Sequence, residues 1–168
     1  LEQLLNKNQS CGLLGDAQQS FKLVTDNIQE GLIMVDNDNV IVFVNPMFCK
    51  LFNYNEEALL GKLCTKTLFD EKDWNLIQQK NTERKQGITE RYEIEILSGE
   101  NEKIPVLLNA SPVYDNQGII QGSIAVCTDL SNQKHVEAEL RQEKAFFKQL
   151  YDFAPIGIVL LDNDDCIV

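Results

Sequence analysis

The chain is poor in histidine: His135 is the single imidazole among 168 residues. Histidine is the commonest general base and metal ligand, so this scarcity excludes most hydrolytic and metal-dependent chemistry. The five cysteines are odd in number and widely spaced, and no two of them form a Cys-x-x-Cys pair. We therefore expect neither a disulfide framework nor a metal site, and interpret the cysteines as buried free thiols of a cytoplasmic protein.

Positive charge is also scarce. Fifteen lysines and arginines stand against 26 acidic residues, a net charge of −11. Such a surface repels polyanions, so nucleic-acid binding is not expected. The longest uncharged apolar run is 156–161, far short of the roughly 20 residues that span a bilayer, so no membrane contact is expected. The chain starts at Leu1 and shows no targeting segment, which predicts a piece of a longer protein.

An internal repeat is present. Residues 21–42 align without a gap with residues 147–168, and nine of the 22 positions are identical, including the Asp36-Asn37-Asp38 stretch. Chance would give roughly one or two identities at ordinary residue frequencies. The sequence therefore predicts one complete unit and the beginning of a second, which is cut at Val168.

Hydrophobic periodicity predicts the elements of the complete unit. Asn37-Asp38-Asn39 joins two apolar runs as a tight hairpin, and Asn45-Pro46 opens a helix that Asn45 caps. The predicted helices cover 16–28, 45–52, 55–60 and 70–86, and the predicted strands cover 31–36, 40–45, 89–97, 103–114 and 119–128. This order predicts an α+β fold with a five-stranded antiparallel sheet.

A polar helix is predicted over 132–153, after the sheet. Its apolar residues follow alternating steps of four and three, with Glu143 as one polar exception; they are Val136, Leu140, Phe147, Leu150 and Ala154. This pattern predicts a short parallel coiled coil. An amphipathic helix that packs on its own domain would show a similar pattern, so both alternatives stay open.

Four segments carry a family resemblance. The segments 45–54, 56–62, 110–118 and 129–131, in this order and spacing, resemble the signature of PAS sensory domains. The resemblance implies a 1–16 N-terminal linker or helix, a PAS domain with its PAC motif at 17–131, a signalling helix at 132–153 and the truncated start of a second PAS domain at 154–168. Asn53 departs from the family, which usually has glycine there; asparagine also tolerates a left-handed backbone.

The resemblance also implies a pocket between the inner sheet face and the short helices, with no metal and no catalytic residue. Family position and strand parity place thirteen residues in it: Ile33, Val35, Phe48, Phe52, Leu63, Leu68, Ile77, Tyr92, Ile94, Val106, Leu108, Ala125 and Cys127. The same residues would equally form a filled core without a ligand. Any ligand should be small and mostly apolar, with Tyr92 as a polar contact.

The residues argue against three specific chemistries. Cys64 falls on the position of the reactive cysteine of flavin-binding light-oxygen-voltage domains, but Leu63, Ile94, Val106 and Cys127 would leave the polar edge of a flavin unpaired. Haem binding would require an axial histidine, and the segment 65–86 contains none. His135 is not followed by the proline that is usual at a kinase phosphoacceptor site, and the sequence contains no ATP-binding motif. We therefore predict no cofactor, with flavin and haem disfavoured.

Two acidic motifs remain. Asp36 and Asp38 lack the glycine and the distal glutamate of a calcium loop, so we interpret them as hairpin-turn residues. Asp129, Leu130 and Ser131 join the last strand to the helix and are predicted to relay a signal, with Ser131 as helix cap. By resemblance Asp129 pairs with a basic residue, for which Lys103 is the expectation.

The resemblance implies a non-enzymatic sensory module of a bacterial signalling protein. It would form a homodimer through its N-terminal and linker helices and act on an effector in the same polypeptide, a histidine kinase or a GGDEF-type diguanylate cyclase. The alternative is a ligand-free dimerisation or spacer module, and the third hypothesis is a flavin photosensor that uses Cys64.

Overall fold

An antiparallel sheet of five strands is the main element of the described residues. The computed structural model describes residues 19–153. The strands are β1 (Gly31–Asp36), β2 (Ile41–Val44), β3 (Glu90–Leu97), β4 (Lys103–Tyr114) and β5 (Ile120–Asp129). They lie in the order β2-β1-β5-β4-β3, and every neighbouring pair is antiparallel. The predicted α+β fold with a five-stranded antiparallel sheet is confirmed.

The hairpin between β1 and β2 is closed by its acidic turn. The Asp36 Oδ1 atom accepts hydrogen bonds from the backbone N–H groups of Asp38 and Val40, both at 2.9 Å. Asn39 has a positive φ of 63°, which asparagine tolerates better than most residues. The interpretation of Asp36 and Asp38 as turn residues therefore agrees with their hydrogen bonds.

Short helices connect β2 to β3. They are α2 (Pro46–Leu51), α3 (Glu56–Leu59), α4 (Cys64–Leu68) and α5 (Trp74–Lys85), with a 3₁₀ turn at Glu71–Asp73 before α5; residues 19–27, ahead of β1, form α1. Asn45 caps α2 as predicted, and Asn53 adopts the left-handed backbone with a φ of 52°. Two details differ from the prediction: α4 was not predicted, and the single helix over 70–86 is divided by the 3₁₀ turn.

Asn45 fastens α1 and β1 to the start of α2. Its side chain is fully buried. Oδ1 accepts from the N–H groups of Leu32 and Phe48, both at 2.8 Å, while Nδ2 donates to the carbonyls of Thr25 and Glu30 at 3.1 and 3.0 Å. One amide thus satisfies four backbone groups of three different segments.

The register of the sheet places small side chains at the centre of its inner face. In the first inner row, Ile33 pairs with Ala125, which pairs with Ala110; in the next, Cys127 pairs with Leu108 and Leu108 with Tyr92. The two alanines are direct neighbours, so less side-chain volume fills the space above them than above the flanking rows. This gap is where a cavity forms.

The chain divides into two compact units, residues up to Leu130 and residues from Ser131. The second unit contains α6 (Ser131–Phe153), a helix with mostly exposed side chains. Among the described helices, none combines the length and the apolar character that a membrane crossing requires. The predicted start of a second domain at 154–168 and the linker at 1–16 lie outside the described residues.

Candidate functional site

A small, mostly apolar cavity lies between the inner sheet face and helices α4 and α5. Its volume is about 30 Å³. Its walls come from six elements, β1, β3, β4, β5, α4 and α5, and from two connecting segments. The lining residues are Ile33, Val35, Asn39, Cys64, Leu68, Phe69, Ile77, Asn81, Arg84, Tyr92, Ile96, Leu108, Ala110, Ser123, Ala125 and Cys127. A space of this size holds roughly two or three small atoms or waters.

Eight residues of the predicted pocket line this cavity. They are Ile33, Val35, Leu68, Ile77, Tyr92, Leu108, Ala125 and Cys127. Four others, Phe48, Phe52, Ile94 and Val106, are buried in the hydrophobic core and do not line it. Phe48, in α2, and Phe52, the C-cap residue of α2, pack on each other with ring centroids 4.6 Å apart. They fill the part of the inner face that the cavity does not reach.

Leu63 is the one predicted pocket residue that points outward. Its exposed fraction is 44%. It occupies the N-cap position of α4, in an extended conformation that pairs with Val40 in an isolated bridge. Helix α4 starts at Cys64, and its residues Cys64 and Leu68 are buried, whereas Leu63 before it is exposed. Because α4 was not predicted, no sequence pattern indicated that the inward-facing residue would be Cys64 rather than Leu63.

The prediction missed the polar residues of the cavity. Asn81 and Arg84 lie four and seven residues after Ile77 and share its face of α5, but the helix as a whole is polar and only its Ile77 was assigned to the pocket. Spacing from Ile77 was the available signal. Asn39, in the hairpin turn, also lines the cavity and donates to the Thr65 hydroxyl at 2.6 Å.

Arg84 is the most unusual of these residues. Only 7% of it is exposed. Nη2 donates to the Asn81 Oδ1 atom, and Nη1 contacts the Tyr92 hydroxyl at 3.5 Å. Its Nε is buried and has no hydrogen-bond partner. A buried cation is costly unless its donors are satisfied and its charge is balanced, and here the Nε–H donor is left unsatisfied.

A second, open space adjoins the cavity. It has a volume of about 400 Å³ and lies between the β1–β2 hairpin, α5 and the start of β5. Five residues line both spaces, namely Val35, Asn39, Asn81, Arg84 and Ser123. The Arg84 guanidinium therefore stands where the open cleft meets the internal cavity.

The cavity disfavours thiolate chemistry. Burial raises the pKa of the Cys64 thiol to about 12, although the nearby Arg84 guanidinium opposes that rise. Burial also raises the pKa of Cys127 and of the Tyr92 hydroxyl. These three groups are therefore neutral at physiological pH, and the site presents Arg84 as its charged group.

Cys64 is expected to resist alkylation in the folded chain. At pH 8, a pKa of about 12 instead of 9.0 lowers the thiolate fraction by about a thousandfold, and burial hinders the reagent further. Iodoacetamide labelling followed by peptide mass spectrometry should show Cys64 and Cys127 unmodified until urea unfolds the protein. Half-buried Cys49 serves as the internal comparison. Labelling of Cys64 as fast as Cys49 would contradict this description of the site.

The predicted relay residues lie at the end of the sheet. The backbone N–H of Leu130 donates to the Pro105 carbonyl at 2.9 Å, and the Leu130 side chain is buried. α6 begins at Ser131, one residue further. Lys103, expected opposite Asp129, instead donates to the Asp70 carboxylate at 2.6 Å, because β4 begins beside the turn that precedes α5.

A family model described as PAS domain matches residues 29–132 of the chain. The match covers all five strands and every helix between them, and it ends at the second residue of α6. It therefore contains the whole cavity.

Curated bacterial relatives include kinases. The chain is 23% identical to sporulation kinase E of Bacillus subtilis over 152 residues, which is 90% of this chain and 20% of the relative. It is 29% identical to the sensor protein kinase WalK of Staphylococcus saprophyticus over 121 residues, 71% of this chain and 18% of the relative. The chain thus spans about a fifth of the length of the curated relatives it matches.

Solved structures share the fold. The PAS domain of an HTR-like protein from Haloarcula marismortui superposes with a TM-score of 0.60 at 17% identity, covering 73% of this chain and 98% of that one. The light-oxygen-voltage protein of Rhodobacter sphaeroides gives 0.59 at 19% identity, covering 67% and 66%. At such identities the similarity concerns the fold alone.

Proposed function

The chain belongs to the PAS domain family, and from that premise we propose that it is the non-catalytic sensory module of a larger cytoplasmic signal-transduction protein. It acts on an effector domain of the same polypeptide. A histidine kinase is the effector that the curated relatives support best, since both relatives named above are kinases. A GGDEF-type diguanylate cyclase is the second candidate.

One observation carries the proposal: the central strand of the sheet continues almost directly into a helix. β5 pairs with β1 on one side and β4 on the other, and it contributes Ala125 and Cys127 to the cavity wall. Only Leu130 separates its end from α6. A change in the cavity that shifts β5 is thereby passed to the start of α6, with Asp129, Leu130 and Ser131 as the relay.

A signal of this kind requires two states. A ligand shifts the equilibrium between two arrangements of α6 only by the difference in its affinity for them. The helix has exposed apolar side chains suited to a partner helix, and we propose that it pairs with the same helix of a second chain. The homodimer then converts a local shift in β5 into a changed helix pair.

Substituting Leu140 with glutamate is expected to weaken this dimer at least tenfold. Leu140 is 49% exposed in the single chain and occupies the apolar seam with Val136, Phe147 and Leu150, which are all about half exposed. A charge at a seam position must be desolvated when two helices pair. Sedimentation equilibrium of the wild-type chain and the L140E variant measures the change.

Gln142→Glu provides the control, because it adds the same charge to α6 two residues away and outside the seam. It should leave the dissociation constant within about twofold. A wild-type chain that is monomeric at high micromolar concentration, or equal weakening by both variants, would contradict pairing through this seam.

The ligand-free spacer remains the alternative, and the small volume of the cavity favours it. Ligand titration followed by sedimentation separates the two: a sensor changes its self-association when the cavity is filled, whereas a spacer does not. The photosensor hypothesis is tested by the absorption spectrum of the purified protein. A cavity of about 30 Å³ is far smaller than an isoalloxazine ring, so we expect no flavin band near 450 nm.

A further inference from the structure

Arg84 and the cavity together identify a class of ligand. We propose that the cavity binds a small monocarboxylate, whose carboxylate meets the Arg84 guanidinium and whose aliphatic end of about two or three carbon atoms occupies the apolar space. This inference rests on the proposed sensory function and names the chemistry that the sensor recognises.

The first argument is the unused donor. Arg84 is more than nine-tenths buried, and its two hydrogen-bond partners, Asn81 and Tyr92, are neutral side chains. Burial keeps the Tyr92 hydroxyl protonated, so it cannot balance the charge as a phenolate. The Nε donor has no partner. A carboxylate would satisfy this donor and balance the positive charge in one contact, which is the interaction that a guanidinium makes best.

The second argument is the position of Arg84. Arg84 lines both the internal cavity and the open cleft, so a ligand bound to Arg84 has one end in the cavity and the other end towards the cleft. On the inner side lie Ile33, Leu68, Ile77 and the two alanines of the central row. That wall is apolar and suits the aliphatic end of the ligand, and the small volume of the cavity limits the length of that end.

The third argument concerns the charges around the site. Two carboxylates, those of Asp36 and Asp38, line the open cleft together with Lys85. These carboxylates would repel a second negative group at the outer end of the ligand. The site therefore favours a monocarboxylate over a dicarboxylate.

The test is an NMR titration of the full wild-type chain with acetate, propionate, butyrate, hexanoate, succinate, propionamide and butyramide. The Arg84 Nε–H resonance reports directly on the proposed contact. We expect saturable shifts that are strongest for propionate or butyrate, with at least tenfold weaker binding of the matching amides and of succinate. Chloride and phosphate at equal ionic strength should cause no saturable shift.

Two variants make a matched pair. Arg84→Gln keeps a side chain that can hydrogen-bond Asn81 but removes the charge, and it should weaken butyrate binding at least tenfold. Lys85→Gln removes the same charge from the next residue, which lines the open cleft but not the cavity, and should weaken butyrate binding less than twofold. Ala125→Leu, which fills the cavity and retains Arg84, should weaken butyrate more than acetate. Circular dichroism and urea unfolding establish that each variant is folded.

Several outcomes would overturn the inference: no saturable binding of any carboxylate, amides that bind as tightly as acids, inorganic anions that compete equally, or equal losses in R84Q and K85Q. Sedimentation of the wild-type chain with saturating butyrate addresses the proposed function separately. Butyrate that binds at Arg84 but leaves the self-association unchanged would contradict the relay and retain the ligand class. A failed titration would remove the ligand class and leave the relay through α6 in place.

Discussion

Asn45→Ala is expected to lower the free energy of unfolding by about 3–5 kcal/mol, because it leaves four backbone groups without partners. Those groups are the N–H of Leu32 and Phe48 and the carbonyls of Thr25 and Glu30. Each unpaired buried group costs about 1–3 kcal/mol, and we take less than the sum because water can reach the partly buried Glu30 carbonyl. Urea unfolding followed by circular dichroism gives the value. Such a loss is a large share of the 5–15 kcal/mol typical of folded domains.

The matched control is Asn27→Ala. Asn27 also donates from Nδ2 to a backbone carbonyl, that of Leu23 at 2.7 Å, but it is exposed on α1 and its partner can bind water instead. The N27A substitution should therefore change the free energy of unfolding by about 0.5 kcal/mol or less. If N45A is no more destabilised than N27A, the buried amide does not hold these segments together.

The fold was easier to predict from the sequence than the site, for a physical reason. Strands and turns could be predicted because polar and apolar residues alternate in β3, and because asparagine, which tolerates unusual backbone angles, stands in the turn at 37–39 and at position 53. These are local signals. The strand order β2-β1-β5-β4-β3 was not predicted, since no local pattern states which strands are neighbours across the chain.

The site depended on where helices begin. α4 is only five residues long and its side chains include polar ones, so periodicity could not identify it. The error at Leu63 follows from that omission. Arg84 was missed because a charged residue in a polar helix is normally exposed, and its burial results from tertiary packing of α5 over the inner sheet face. Sites built from such exceptions are the least visible in a single sequence.

Phe52→Ala is expected to lower the free energy of unfolding by about 3–5 kcal/mol, whereas Leu63→Ala should lower it by less than about 1 kcal/mol. Both residues belonged to the predicted pocket, but Phe52 is fully buried against Phe48 and Leu63 is 44% exposed. Removing the Phe52 ring opens a cavity in the core, while water already contacts much of Leu63. Urea unfolding of both variants under identical conditions measures the contrast.

The same pair distinguishes core packing from ligand contact. Phe52 does not line the cavity beside Arg84. Under conditions in which the F52A variant is folded, we therefore expect it to bind butyrate with an affinity within about threefold of the wild-type value. Ala125→Leu, on the cavity wall, should show the reverse: a small change in stability and a large change in binding. If F52A loses binding as strongly as A125L, the aromatic pair and the cavity act as one site, and the division of the predicted pocket into a core region and a ligand region is wrong.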